Sequence, residues 1–142
     1  MEIDIERNKN VVREFIGAIN ARDWGRLDAV VARDFTRHSC AAPPIYGRNE
    51  LEAYLRSELE IFPDAQETIE DIVAERDRVA VRHGFQGTQK GAMGPYPASG
   101  RLMSAQYLAI YRLAEGVIAE AWVEWDNLSG LVQLGHLTPG VR

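Results

Sequence analysis

The sequence predicts an α+β domain on three observations. Apolar residues recur with a helical period in the first part of the chain, the period drops to two after Pro63, and a Gly- and Pro-rich segment, QKGAMGPYPASG, breaks the later part. Helices segregated ahead of a run of strands cover one face of a sheet. A strongly bent sheet of this kind wraps around the first helix and leaves a hollow, which is where function is to be sought.

Val12, Phe15, Ile16 and Ile19 stand at i, i+3, i+4 and i+7, so the spacing predicts an amphipathic helix from about Glu6 to Ala21. Asp23 reads as the N-cap of a second, short helix carrying Trp24, Leu27, Val30 and Val31. GRNE, residues 47–50, opens a third helix with Leu51, Tyr54, Leu55, Leu59 and Phe62 on one face, and Pro63 ends it. Strand character follows in segments 67–75, 79–88, 102–112 and 117–125, with Glu115-Gly116 as the tight turn between the last two. These make an antiparallel meander. Residues 89–100 form a loop suited to flank a cavity mouth, and the spacing of Leu128, Leu131 and Val132 fits a short C-terminal helix.

At 142 residues and 46% hydrophobic content, the chain has the usual size of one domain, residues 1–142, able to bury a core around a small pocket. Sixteen Lys and Arg against twenty-one Asp and Glu give a net charge of −5, with no basic stripe, which argues against a nucleic-acid partner. The charged start MEIDIERNKN is no signal peptide, and no apolar run approaches a membrane span, so a cytoplasmic protein without a membrane partner is expected. The single cysteine, Cys40, rules out an internal disulfide framework and fits a reducing compartment.

The stretch AEAWVEWDNLSG, residues 119–130, sets carboxylates among indoles. In a strand Glu120, Trp122, Glu124 and Asp126 share one face, while Ala119, Ala121, Val123 and Trp125 share the other. The acidic face suits a wet pocket wall, where like charge and desolvation by Trp122 would raise a carboxyl's pKa toward the range that proton transfer near neutral pH needs. Asp126 or Asn127 also has the position of an N-cap for the C-terminal helix. His83 alternates with Val81 and Phe85, which fits a core histidine as well as a pocket one, and Trp122 fits either packing or a substrate platform. Tyr107, Ala109 and Tyr111 read as packing.

NARDWGRLDAVVARDFTRHS, the Gly-Arg opening and FPD end of the third helix, EDIVAERDRVAVR, GTQKG, SGR, IYRLAEGVIAEAW and WDNLSGLVQLG occur in an order and spacing that resemble the SnoaL-like polyketide cyclase (ester cyclase) family of the NTF2-like superfamily. The resemblance implies a cone-shaped α+β barrel with a deep pocket, a homodimer formed through the outer face of the sheet, and cofactor-free intramolecular aldol ring closure with an aspartate as general acid/base. Carried over residue by residue, it implies catalytic roles for Asp126 and His38. His83 stands where relatives often carry an aromatic residue, and Ala121 and Val123 stand where many carry His and Asp.

No HExxH, paired His or Cys cluster gives metal-ligand spacing, so neither a metal nor a cofactor is expected. Cys40, two residues from His38, completes no nucleophile motif, and the glycines of GTQKGAMG lead from a strand into no helix. The expectation is therefore a cyclase acting on a hydrophobic polycarbonyl small molecule. Asp126 and His38 would be its catalytic groups, and His83, Phe85, Trp122 and Glu124 would bind substrate. The alternatives are a non-catalytic binding or accessory domain, or an isomerase, hydrolase or hydroxylase using the same pocket.

Overall fold

The computed structural model describes residues 3–140. Asp4 caps helix α1 (Ile5–Ala21) by accepting the Arg7 N–H at 3.0 Å, and the helix ends at Arg22, held in the left-handed region at φ 57°. The Arg22 guanidinium then donates to the carbonyls of Pro63 and Ala65 at 3.1 and 2.8 Å, pinning the end of α1 to a distant connection. A 3₁₀ turn (Trp24–Arg26) leads into α2 (Leu27–Val30). Asp23 precedes that turn but makes no side-chain cap bond.

Val31, expected inside the second helix, instead opens a strand, β1 (Val31–His38), followed by β2 (Ile45–Tyr46) and α3 (Arg48–Ile61). The local pattern hid β1. Arg33 and Asp34 blur its alternation, and its partner lies far along the chain, since β1 pairs in parallel with β6 (Val117–Glu124). Between them run β3 (Gln66–Glu75), β4 (Arg78–Thr88) and β5 (Leu102–Ala114), and α4 (Asn127–Gln133) closes the fold. Glu115 and Gly116 turn the chain between β5 and β6 with φ of 52° and 82°, the two positive values that a tight hairpin turn matched to strand twist requires.

The sheet is six-stranded, ordered β2-β1-β6-β5-β4-β3 and unclosed, so the observed class is α+β with four helices against a curved sheet. Register shifts at Ile69/Asp71, at Arg112/Leu113 and between Val31 and Thr36 mark irregularities of the kind that bend strands. Cross-strand partners point the same way, which sorts the inward face into rows. One row is Ile72, Val81, Ala109, Val123. The next holds Ala74, Val79, Tyr111, Ala121 and Arg37. Helix α1 lays Val12, Phe15, Ile16 and Ile19 against these rows, and with Val31, Phe35 and Ile118 they form the main core. Further along the same face stand Ile69, His83 and Tyr107, then Glu67, Phe85 and Ala105.

Strand β3 is an edge, and Asn20 at the end of α1 covers its start: the amide donates to the Glu67 carbonyl at 2.8 Å and accepts the Glu67 N–H at 2.9 Å. Asn20→Ala leaves that peptide group half-buried and unpaired, so it is expected to lower stability by about 1–3 kcal/mol. A thermal melt superimposable on wild type would refute this coupling.

Candidate active site

The acidic face of β6 turns outward. Glu120 accepts the Arg112 Nε–H at 2.9 Å and lies 2.6 Å from His38 Nε2. The His38 and Arg112 hydrogen bonds hold its carboxyl below the usual carboxylate range. The His38 ring stacks on Trp122 at 5.4 Å between centroids, and Arg78 lies over the same indole at 5.5 Å. Glu124 accepts the Cys40 backbone N–H at 2.7 Å and so ties down the loop after β1. Asp126 is exposed and accepts the Ser129 N–H at 3.1 Å as the N-cap of α4. It borders a shallow depression of about 380 Å³ that also touches Arg82, Leu108 and Glu124.

His83 and Phe85 face inward, and they do not meet His38 or Trp122. Phe85 packs edge-on against Phe62 at 5.4 Å. His83, 0% exposed, stacks on Tyr107 at 4.3 Å and has its Nε2 2.8 Å from the Tyr111 hydroxyl, while its Nδ1 has no partner. Burial pulls its pKa down to about 4, so the ring is neutral at physiological pH.

Around His83 the inward face gathers polar groups beyond the apolar stripe of α1. The Tyr107 hydroxyl donates to both carboxyl oxygens of Glu67, at 2.7 and 2.8 Å. Helix α3 contributes Tyr54 and, one turn on, Glu58. Burial pushes Glu67 up to about 7 against the Tyr107 hydrogen bond, with the Glu58 charge adding to the rise. Burial likewise raises Glu58 to about 7, opposed by Arg37 and the Tyr54 hydroxyl. Tyr54 rises to about 12 and Tyr107 well above 10.0, both chiefly through burial, so both hydroxyls keep their protons. Glu58, Glu67 and Tyr107 are deeply surrounded, yet each keeps some exposure to solvent. Arg37 completes the group from β1, its guanidinium 4.6 Å from the Tyr54 ring and 5.2 Å from that of Trp125.

Glu58, Glu67 and Arg37 escaped the sequence reading, although a signal was available. Glu58 interrupts the apolar stripe of α3 one turn after Tyr54, and Glu67 and Arg37 alternate in phase with Ile69 and Phe35. Charge in an inward phase is the mark of a polar cavity wall. Val123 and Ala121 also point inward and pack in the core, so β6 presents no inward carboxyl or imidazole there. Among the described residues, no three His, Cys, Asp or Glu side chains converge as a metal site would need, and no helix is long and apolar enough to cross a membrane.

Glu58 and Glu67 have higher pKa values folded than their ordinary 4.5, so the stability they contribute is complete below about pH 4.5 and lost as pH rises through about 7. His83 runs the other way: its ordinary 6.5 falls to about 4, and stability is lost as pH drops through that window. Glu67→Gln keeps an acceptor for Tyr107 and removes one ionisation. It should melt higher than wild type at pH 8 and lose that advantage at pH 5. An equal offset at both pH values would contradict the buried-carboxyl assignment.

A family model described as SnoaL-like polyketide cyclase matches residues 9–134. Among solved structures, TsrD from Streptomyces laurentii is 29% identical with a TM-score of 0.85, covering 96% of this chain and 100% of its own. IdmH from Streptomyces antibioticus, described as a candidate polyketide cyclase, is 28% identical with a TM-score of 0.81, covering 90% and 98%. AclR from Streptomyces galilaeus, a candidate hydroxylase, is 25% identical with a TM-score of 0.82, covering 94% and 99%. No curated protein matches the chain.

Proposed function

Because the chain belongs to the SnoaL-like polyketide cyclase family, we propose that it is a cyclase closing a ring in a hydrophobic polycarbonyl molecule by a cofactor-free intramolecular aldol reaction, with Glu67 as general base. The observation that carries this reading is the pairing of Glu67, its pKa pushed up to about 7 by burial, with a Tyr107 hydroxyl donating at 2.7 Å on the inward face of the sheet. Asp126 is the weaker candidate, since its carboxylate is exposed and engaged in capping.

A methylene between two carbonyls is acidic for a carbon acid, so one positioned carboxylate suffices as its base. Glu67 takes the α-proton, and the C–H electron pair passes into an enolate. The enolate carbon attacks a ketone carbon of the same molecule, forming the ring C–C bond. The resulting alkoxide recovers the proton from Glu67, so atoms and charge balance without water or metal. Charge on the enolate oxygen is stabilised by the donors near Glu67, protonated Glu58 and the Tyr54 hydroxyl. Phe85, Val123 and Trp125 supply apolar walls.

Glu67→Gln should lower kcat in a ring-closure assay on a polycarbonyl ester by about 10²-fold or more, the lower end for a positioned general base. The acid limb of kcat/KM in wild type should report a pKa near 7, because the base must be ionised. Asp126→Asn should leave turnover and melting unchanged, Asn being as good a cap, whereas Asp126→Ala should cost about 1 kcal/mol of stability. Full activity in Glu67→Gln with loss in Asp126→Asn would transfer the role to Asp126.

Homodimerisation through the outer face is part of the same proposal. The outward row Val73, Ala80, Ile110, Trp122 and His38 is apolar in its middle, with Val73 62% and Ile110 45% exposed and Leu108 beside it at 61%. Ion pairs flank it: Arg82 with Asp71 at 2.7 Å, and Arg112 with Glu120 at 2.9 Å. An apolar band with a charged rim suits a self-complementary interface. Light scattering at micromolar concentration should return a dimer mass, and Ile110→Asp should shift it to monomer. A monomeric wild type would exclude the interface.

A further inference from the structure

Arg37 is the cation of this polar group, and among the described residues no carboxylate lies within ion-pair distance of it, although Glu58 feels its charge. It projects from β1 into the inward row with Tyr111 and Ala121 and is 5% exposed, yet its Nε–H has no hydrogen-bond partner and it enters none of the ion pairs formed among the described residues. A guanidinium withdrawn from water this far is expensive unless a partner compensates it. The aromatic rings of Tyr54 and Trp125, 4.6 and 5.2 Å from its carbon, hold its position, and the Tyr54 hydroxyl interacts with the guanidinium, but the Nε–H stays without a partner. The carboxyl that feels its charge is Glu58 on α3, with Glu67 on β3 next to Glu58; both are about half protonated at pH 7 and largely protonated at pH 6, and His83 on β4 is neutral. With Tyr107 and Tyr111 on β5 also uncharged, the group is close to neutral at pH 7 and gains net positive charge as the pH falls below 7 and both carboxyls protonate.

We infer that Arg37 is the receptor for an anionic oxygen on the pocket's ligand, so that the molecule bound is an apolar body bearing a carboxylate or an enolised 1,3-dicarbonyl. The planar N–H fork suits both groups, which present two coplanar oxygens. The inference rests on the concave-face cavity being the reaction site and adds what that site selects. Anion binding and carboxyl protonation are then linked. Raising the pH through 7 ionises Glu58 and Glu67 opposite Arg37, and each new negative charge opposes the ligand's.

The probes are 2-naphthoate, its neutral methyl ester and 1-phenylbutane-1,3-dione, titrated calorimetrically into wild type, Arg37→Gln and Arg37→Lys at pH 6 and pH 8.5. Wild type should bind naphthoate about 10-fold or more tightly than the ester at pH 6, as a charged hydrogen-bonded contact predicts, and lose that preference at pH 8.5. Arg37→Gln should bind the two alike. The diketone arm tells which source of anionic oxygen the site accepts: preference for the diketone over the ester without preference for naphthoate identifies an enolate receptor, the reverse a carboxylate receptor. Should Arg37→Gln fail to fold, Arg37→Lys removes the Nε–H while keeping charge, and the wild-type Arg37 Nε–H resonance should shift with naphthoate and not with the ester. Equal affinity of all probes in wild type, no binding of any, or a preference that survives both substitutions overturns the assignment. The Glu67→Gln assay fails separately: turnover lost there without an anion preference removes only the role of Arg37, while turnover retained removes the cavity as the reaction site.

Discussion

Packing of α1 into one end of a bent sheet is the constraint from which the rest follows. The stripe Val12, Phe15, Ile16 and Ile19 fills the hollow over Val79, Val81, Ala109 and Tyr111, and beyond that stripe the end of α1 meets the row of Glu67 through the polar Asn20 amide. At that end the side chains are polar: Glu58, Glu67, Tyr54 and Tyr107 stand close together, and burial dominates the pKa of each.

That geometry explains why two ordinary glutamates behave unusually. Glu58 on α3 and Glu67 on β3 come from elements that close on opposite sides of the opening, and burial dominates both pKa values even though each has a neighbouring donor. Asn20 and Arg22 belong to the same device. Their side chains bind backbone at Glu67, Pro63 and Ala65, so the end of α1 sets the position of the carboxyl that the cavity shifts. Stability and chemistry therefore share residues, and a change at Asn20 should be felt at Glu67.

The carboxylates among tryptophans on β6 find a different use. Glu120 balances Arg112 and His38, Glu124 holds the Cys40 amide, and Asp126 starts α4. Each is accounted for by a hydrogen bond on the convex side or at the strand's end. Trp125 alone of the pair turns toward the cavity, against Arg37. With Val123 and Ala121 packed in the core, the inward carboxyl of this fold comes from β3 in place of β6.

The sequence by itself determined the helices, four of the six strands and the tight turn at Glu115-Gly116, because those depend on periodicity and on local backbone preference, which act over a few residues. Its family resemblance, carried by motif order along most of the chain, also specified the fold class. It did not reveal β1, whose parallel pairing with β6 joins segments from opposite ends of the chain and leaves no local trace. Nor could alternation choose which face of β6 turns inward, since each face carries one tryptophan. That choice belonged to tertiary packing: Ala121 and Val123 are small enough to lie against the core with Phe35, Tyr111 and the helices, whereas Glu120 and Glu124 would have been buried beside them without partners. Tertiary packing also made Glu58 and Glu67 the shifted carboxyls, because a pKa responds to what surrounds a group in space, and those surroundings come from α3, β3, β4 and β5 at once.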